Sequence, residues 1–209
     1  MIVSIAHSKG GCGKSLLTLN LAPLVSNLVL VDLDAQNSIS EINQARAKEK
    51  QYLIKKANSQ KELYDIFDTY KEYNIMIDCG GIDSDINRLA IANSDVLVVP
   101  VKDNSFEILA FVRFLKVLDK IVSHKDVKLK ICILINNVHF GTKDFERLQG
   151  LVKENEHIEL LKTIVRTRAD FPNCLEEGTT IFEKDPLAKA SLEIDSLYQE
   201  IFKNNIKDN

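Results

Sequence analysis

Short apolar runs alternate along the chain with stretches in which apolar positions recur every three or four residues. The runs at 1–6 (MIVSIA), 28–33 (LVLVDL), 51–57, 73–78 (YNIMID), 95–101 (DVLVVPV), 129–135 (LKICILI) and 160–165 read as strands. Several are apolar without strict alternation, the pattern of strands covered on both faces of a parallel sheet. Between them the helical period predicts helices near 14–25, 37–47, 59–69, 85–93, 104–122, 143–154 and 169–177. Ser59, with Glu62 three residues on, has the spacing of a capping box. Asp185 before Pro186 predicts the N-cap and first residue of a last helix. Its Leu187, Ala190, Ile194, Leu197, Tyr198 and Ile201 recur at helical spacing and should face inward. No repeat, low-complexity tract or linker interrupts the alternation. It predicts the α/β class: one domain over residues 1–209, a doubly wound, mostly parallel sheet with helices on both faces.

Composition narrows the class. A chain of 209 residues, 45% hydrophobic and 27% charged, suits one soluble domain. No apolar run approaches the ~18 residues of a membrane span. The start MIVSIAHSKGG lacks a basic region followed by a long apolar stretch, so no signal peptide is expected. Cys12, Cys79, Cys132 and Cys174 are scattered without a C-x-x-C pair. That spacing suits reduced cytoplasmic thiols better than a disulfide framework or a zinc site. The net charge of −3 gives no global attraction to nucleic acid, so any DNA contact needs a local basic patch.

The chemistry concentrates in Lys9-Gly10-Gly11-Cys12-Gly13-Lys14-Ser15, between the first strand and a helix that continues through Leu16. Glycines let the backbone turn so that successive N–H groups converge on phosphate oxygens, and the helix adds its positive end. Lys14 can neutralise β- and γ-phosphate charge, and the Ser15 hydroxyl can ligate Mg²⁺. Residues 9–16 are therefore the candidate contacts for ATP or ADP. The usual pattern has glycine at position 8, where this chain has Ser8 followed by a second lysine.

Acidic residues follow at strand ends. Asp32-Leu33-Asp34-Ala35-Gln36 closes the second strand, facing the crevice where open α/β sheets bind ligands. Both aspartates are also placed to cap the next helix. Asp78 ends the strand YNIMID and can hold Mg²⁺ through water, since that ion keeps much of its hydration shell. Cys79 beside it reads as a small filler, with no activating partner in view. Phosphoryl transfer depends chiefly on positioning and charge stabilisation, for which these groups suffice.

KGGCGKS resembles the deviant Walker A motif of the ParA/MinD group of P-loop ATPases. The resemblance implies that Lys9 reaches across a dimer interface to the partner's nucleotide, making ATP the glue of a sandwich homodimer. DLDAQ resembles that group's D-x-D-P-Q box, with Ala35 in place of proline. Asp34 would then position the attacking water, and Asp32 would support the Mg²⁺ shell. Asp78 takes the Walker B place, although Cys79-Gly80-Gly81 departs from D-x-P-P. Residues 95–106 (DVLVVPVKDNSF) resemble the segment that follows it, with Pro100 near the nucleotide and dimer face.

Asn136 or Asn137 falls where relatives recognise adenine, though an Asn pair is also a turn signal. Thr163 to Arg168 and Glu177 to Ile181 resemble the late segment whose basic residues contact DNA without sequence preference. Arg166, Arg168, Lys162, Lys184 and Lys189 are the candidates. Residues 160–209 nevertheless hold seven Lys/Arg against nine Asp/Glu, which also suits an ordinary solvated surface. The likeness runs to about Phe202 and is closest to short plasmid ParA proteins. The phosphate loop begins by residue 9 of this sequence, so no helix-turn-helix ahead of it and no sequence-specific operator binding are expected.

The implied function is an ATP hydrolase for plasmid or chromosome partition. Its expected partners are a second copy, non-specific DNA and a ParB-like or small centromere-binding adaptor. It would be cytoplasmic and nucleoid-associated with ATP. A membrane-bound MinD-like regulator needs a basic amphipathic C-terminal helix, and the tail SLYQEIFKNNIKDN is only weakly amphipathic. Positioning of a protein cargo by the same cycle remains the other alternative.

Overall fold

The computed structural model describes residues 1–203 except 82, 83, 103, 124–128 and 156. Residue 103 of the segment 95–106 and residues 204–209 of the tail thus lie outside the described residues. The strands are β1 (Ile2–Ile5), β2 (Leu28–Leu33), β3 (Ile54–Lys56), β4 (Asn74–Cys79), β5 (Val96–Val101), β6 (Lys130–Val138) and β7 (Ile158–Arg166). The helices are α1 (Lys14–Leu21), α2 (Ser38–Ala45), α3 (Gln60–Thr69), α4 (Asp85–Ala92), α5 (Ser105–Val122), α6 (Glu146–Lys153), α7 (Asp170–Glu176), α8 (Ile181–Lys184) and α9 (Lys189–Tyr198).

The seven strands form one sheet in the order β3-β2-β4-β1-β5-β6-β7, and every described pairing is parallel. The chain builds to one side of β1 as far as β4, then crosses to the other. The loops after β1, β2 and β4 consequently meet at the carboxyl edge, near the point where the winding reverses.

Both faces of the sheet are buried, which explains why the strand sequences do not alternate. Val3, Ile5, Met76, Val98, Cys132 and Leu134 pack under α1, α7 and α9. Their neighbours Ile75, Ile77, Leu97, Val99, Ile131 and Ile133 pack under α3, α4, α5 and α6. Successive residues enter opposite layers, so each strand must be apolar throughout.

At the β7 edge, Glu200 accepts the Lys162 and Thr163 amides and Glu193 accepts the Arg166 amide. Carboxylates thus occupy edge donors that could otherwise recruit another strand.

The structure corrects the reading of the last helix. Thr180 and Glu183 form a capping box that starts α8, so the next helix begins only at Lys189. Asp185 closes α8, and its side chain accepts the Leu187 amide at 3.0 Å in the intervening turn. Leu187 is 83% exposed and not inward-facing, whereas Ala190, Ile194, Leu197 and Ile201 are buried and Tyr198 packs against them. At α3 only half of the predicted box forms. Ser59 accepts the Glu62 amide, but the Glu62 carboxylate takes the Asn58 amide instead of its expected partner. Among the described residues no helix is long and apolar enough to cross a membrane.

Candidate nucleotide-binding site

Between β1 and α1 the backbone turns through Gly11 at φ 73° and Gly13 at φ 94°, both left-handed. A Cβ on Gly13 would stand 2.6 Å from the Asn136 amide nitrogen, so position 13 excludes any side chain on two grounds. Gly13 is also the residue ahead of α1 and has no side chain to cap it, leaving the first-turn amides open to an anion. Lys14 is only 7% exposed, and its ammonium lies 3.5 Å from the Lys9 carbonyl on the inside of the turn. The Cys12 thiol donates to the same carbonyl at 3.4 Å, and burial pushes its pKa up. It is a packing group, not a thiolate.

Lys9 has a different environment. Its amide donates to His7 Nδ1 at 2.9 Å, and its half-exposed ammonium meets Glu107 Oε1 at 2.6 Å. His7 is fully buried, stacked on Phe114 with ring centroids 5.4 Å apart, and burial lowers its pKa to about 4. The neutral ring is what leaves Nδ1 free to accept. His7 and Glu107 were not among the sequence candidates: one precedes the motif and the other follows Lys9 by 98 residues.

Asp78 sits at the end of β4, in register with Ile5 of β1 and Asp32 of β2. Both its carboxylate oxygens are buried without a hydrogen-bond partner among the described residues. Burial raises its pKa to about 7, against the pull of the Ser15 hydroxyl and the Lys14 ammonium. An orphaned carboxylate beside a hydroxyl is a donor set that fits Mg²⁺, which needs one or two protein oxygens and fills the rest with water and phosphate. Asp32 already accepts three hydrogen bonds. One oxygen accepts the Asp34 amide at 3.2 Å, and the other takes the Ser40 hydroxyl and amide at 2.5 and 3.2 Å. Its visible work is the capping alternative, tying β2 to α2. Asp34 is half-buried and accepts the Gln36 amide at 2.9 Å.

The loops after β2 and β4 lean on each other at Gly80, where a Cβ would lie 3.0 Å from the Leu33 carbonyl oxygen. They share a cavity of about 420 Å³ lined by Asp32, Asp34, Lys56, Asn58, Gly80 and Asn87. Cys79 is fully buried with its thiol pushed up to about 12, consistent with a filler.

The Asn pair lies within β6, where the register with β7 is irregular. The bulge re-aims the two side chains. Asn136 donates to the Cys12 carbonyl at 2.6 Å, whereas Asn137, at φ 53°, accepts the Thr167 hydroxyl at 2.8 Å. Three of the five basic candidates are engaged within the chain. Arg168 pairs with Glu193 at 2.5 Å, Lys184 pairs with Glu177 at 2.6 Å, and Arg166 donates to the His139 and Thr142 carbonyls. Lys162 and Lys189 are exposed.

A glycine turn from strand to helix, a buried lysine within it and an unpaired carboxylate on the adjacent strand define a P-loop nucleotide-binding protein. The family model of the CobQ/CobB/MinD/ParA nucleotide binding domain matches residues 3–181, and the chain belongs to that family. It is 21% identical over 207 residues to "Maintenance of carboxysome distribution protein A" of Halothiobacillus neapolitanus, covering 95% of both proteins. Its fold is similar to that of the MinD cell division protein of Aquifex aeolicus, with a TM-score of 0.77, 16% identity and 97% and 96% of the two chains covered. A Cyanothece McdA variant in complex with ATP gives a TM-score of 0.72 at 14% identity, with 95% of each chain covered.

Proposed function

We propose that this chain is an ATP hydrolase that dimerises around ATP and, as a dimer, binds DNA without sequence preference to position a cargo. The observation that carries the reading is the division of labour between the two lysines of the loop. Lys14 is buried inside the turn, while Lys9 stands half-exposed outside it. One lysine serves the chain's own phosphates, and the other, lying outside the cradle and paired with Glu107, is the one to serve a partner's once released.

In this reading the amides of residues 10–16 cradle the phosphates. Ser15 and Asp78 would hold Mg²⁺, which would supply positive charge to the phosphates, and Asp32 fixes the loop from behind. Asp34, on the neighbouring loop, positions the attacking water. Asn136 or Asn137 meets the adenine, and Asn136 also braces the loop. Lys162 and Lys189 are the freest candidates for DNA, and Arg166, Arg168 and Lys184 shape the surface around them.

A plasmid or chromosome adaptor of the ParB kind would stimulate turnover, and the protein would work in the cytoplasm on the nucleoid. The end-to-end likeness to a carboxysome distribution protein favours a second reading, a protein cargo carried by the same cycle.

The test is retention of mixed-sequence duplex DNA. It should require Mg²⁺ and a non-hydrolysable ATP analogue, because two weak patches act together only in the dimer. It should also fall steeply with salt through counterion release. Retention indifferent to nucleotide, or absent at low salt, would remove DNA from the function.

A further inference from the structure

Helix α5 grips Lys9 from two directions. Glu107, in the first turn of α5, holds the ammonium at 2.6 Å. Phe114, two turns along the same helix, stacks on His7, whose Nδ1 takes the Lys9 amide. Glu107 is itself anchored, because its amide donates to Asn104 Oδ1 at 3.0 Å. Its side chain is 8% exposed, and its second oxygen has no hydrogen-bond partner among the described residues. Lys9 is therefore the cation found on a carboxylate that is otherwise nearly dry, and opening the pair would leave that charge uncompensated. An ammonium held this way cannot at the same time extend to a second chain.

We propose that Glu107 is a positioning residue that restrains Lys9 within its own chain, so that the Lys9–Glu107 pair must open before Lys9 can reach a partner's nucleotide. The pair then sets the threshold for dimerisation, and it deepens and rests on the intersubunit role of Lys9 given above. It acts on association alone, because Glu107 belongs to α5 and not to the phosphate cradle.

The experiment is sedimentation equilibrium of wild type, Glu107→Gln and Lys9→Ala with Mg²⁺ and a non-hydrolysable ATP analogue. Glu107→Gln should lower the dimer dissociation constant by about tenfold, since two partly exposed ion pairs no longer have to be broken. ADP affinity of the monomer should stay within about twofold of wild type, which damage to the fold would not spare. An unchanged or weaker dimer in Glu107→Gln, with wild type dimerising normally, overturns the restraint and leaves the role of Lys9 intact. Wild type failing to dimerise, or Lys9→Ala dimerising like wild type, overturns instead the reading beneath it.

Should Glu107→Gln not fold, the side-chain ammonium resonances of ¹⁵N-lysine-labelled wild type decide. Lys9 should give a protected signal in the monomer that shifts when the analogue is added. A Lys9 ammonium exchanging with water as fast as surface lysines overturns the restraint.

Discussion

Asn136, in the middle layer of the fold on β6, donates its side-chain amide to the Cys12 carbonyl at 2.6 Å and so braces the phosphate loop from across the sheet. The contact spans 124 residues of sequence and occurs where β6 bulges against β7. It links the strand proposed to meet the base to the turn proposed to hold the phosphates.

Asn136→Ala leaves the Cys12 carbonyl buried and unsatisfied, at a cost of about 1–3 kcal/mol. The loop should loosen, and ADP affinity should fall by about tenfold in calorimetric titration, with a lower Tm. Unchanged affinity would mean the brace contributes nothing to the cradle.

Asp78→Asn should separate function from stability. The native carboxylate is buried and its pKa is pushed up to about 7, so at pH 8 a neutral amide removes a charge that folding disfavours. In chelator, the variant should be more stable by about 1–3 kcal/mol in denaturant melts, yet lose Mg²⁺-dependent ATP hydrolysis. Loss of stability in chelator would place Asp78 in a structural role.

His7 makes the fold acid-sensitive. Its pKa is lowered from 6.5 to about 4 by burial, so as pH falls the unfolded chain takes up the proton first. Its contribution is complete above pH 6.5 and is lost progressively between 6.5 and about 4, amounting to about 3 kcal/mol. His7→Asn keeps an acceptor for the Lys9 amide and does not titrate. Denaturant melts from pH 7 to 4.5 should show a shallower loss in the variant, and identical losses would contradict this account.

The strand runs, the glycine turn before α1 and the strand-end places of Asp32, Asp34 and Asp78 are legible in the sequence because each is local: a run, a glycine spacing, a strand end. The sequence places the start of α9 too early because Thr180–Glu183 takes the preceding turn, and capping signals of two to four residues cannot rank themselves against one another. The motif of Asp32 does not reveal that Ser40 will donate to it, since that contact is decided by where α2 lands. His7 and Glu107 carry no motif. Their importance arises only when α5 packs beside the loop, a pairing 98 residues long that periodicity cannot foresee. The basic candidates show the same limit, since charge counting cannot say that Arg168 will find Glu193.

Asp34→Ala should permit ATP-dependent dimerisation and abolish hydrolysis, because the cradle keeps its phosphate contacts while the water loses its acceptor. Phosphate release and sedimentation on the same sample check both halves. A variant that neither binds ATP nor dimerises would make Asp34 structural, and normal turnover would remove it from the reaction.

Lys14→Ala removes the one buried cation of the turn and should abolish nucleotide binding by the monomer, read by fluorescence of a labelled ADP. Affinity equal to wild type would contradict the assignment of the phosphate loop.

Sedimentation of the Lys9→Ala variant with Mg²⁺ and a non-hydrolysable ATP analogue tests the central claim most directly. The monomer should still bind nucleotide, since Lys14, Ser15 and the loop amides remain. Two charge-assisted contacts across the interface, about 1.5–3 kcal/mol each, should disappear and raise the dimer dissociation constant by roughly two to four decades. Wild type shifting to a dimer while Lys9→Ala stays monomeric is the predicted result. Equal dimerisation of the two would contradict the account and leave a phosphate-loop protein whose second lysine does not reach across.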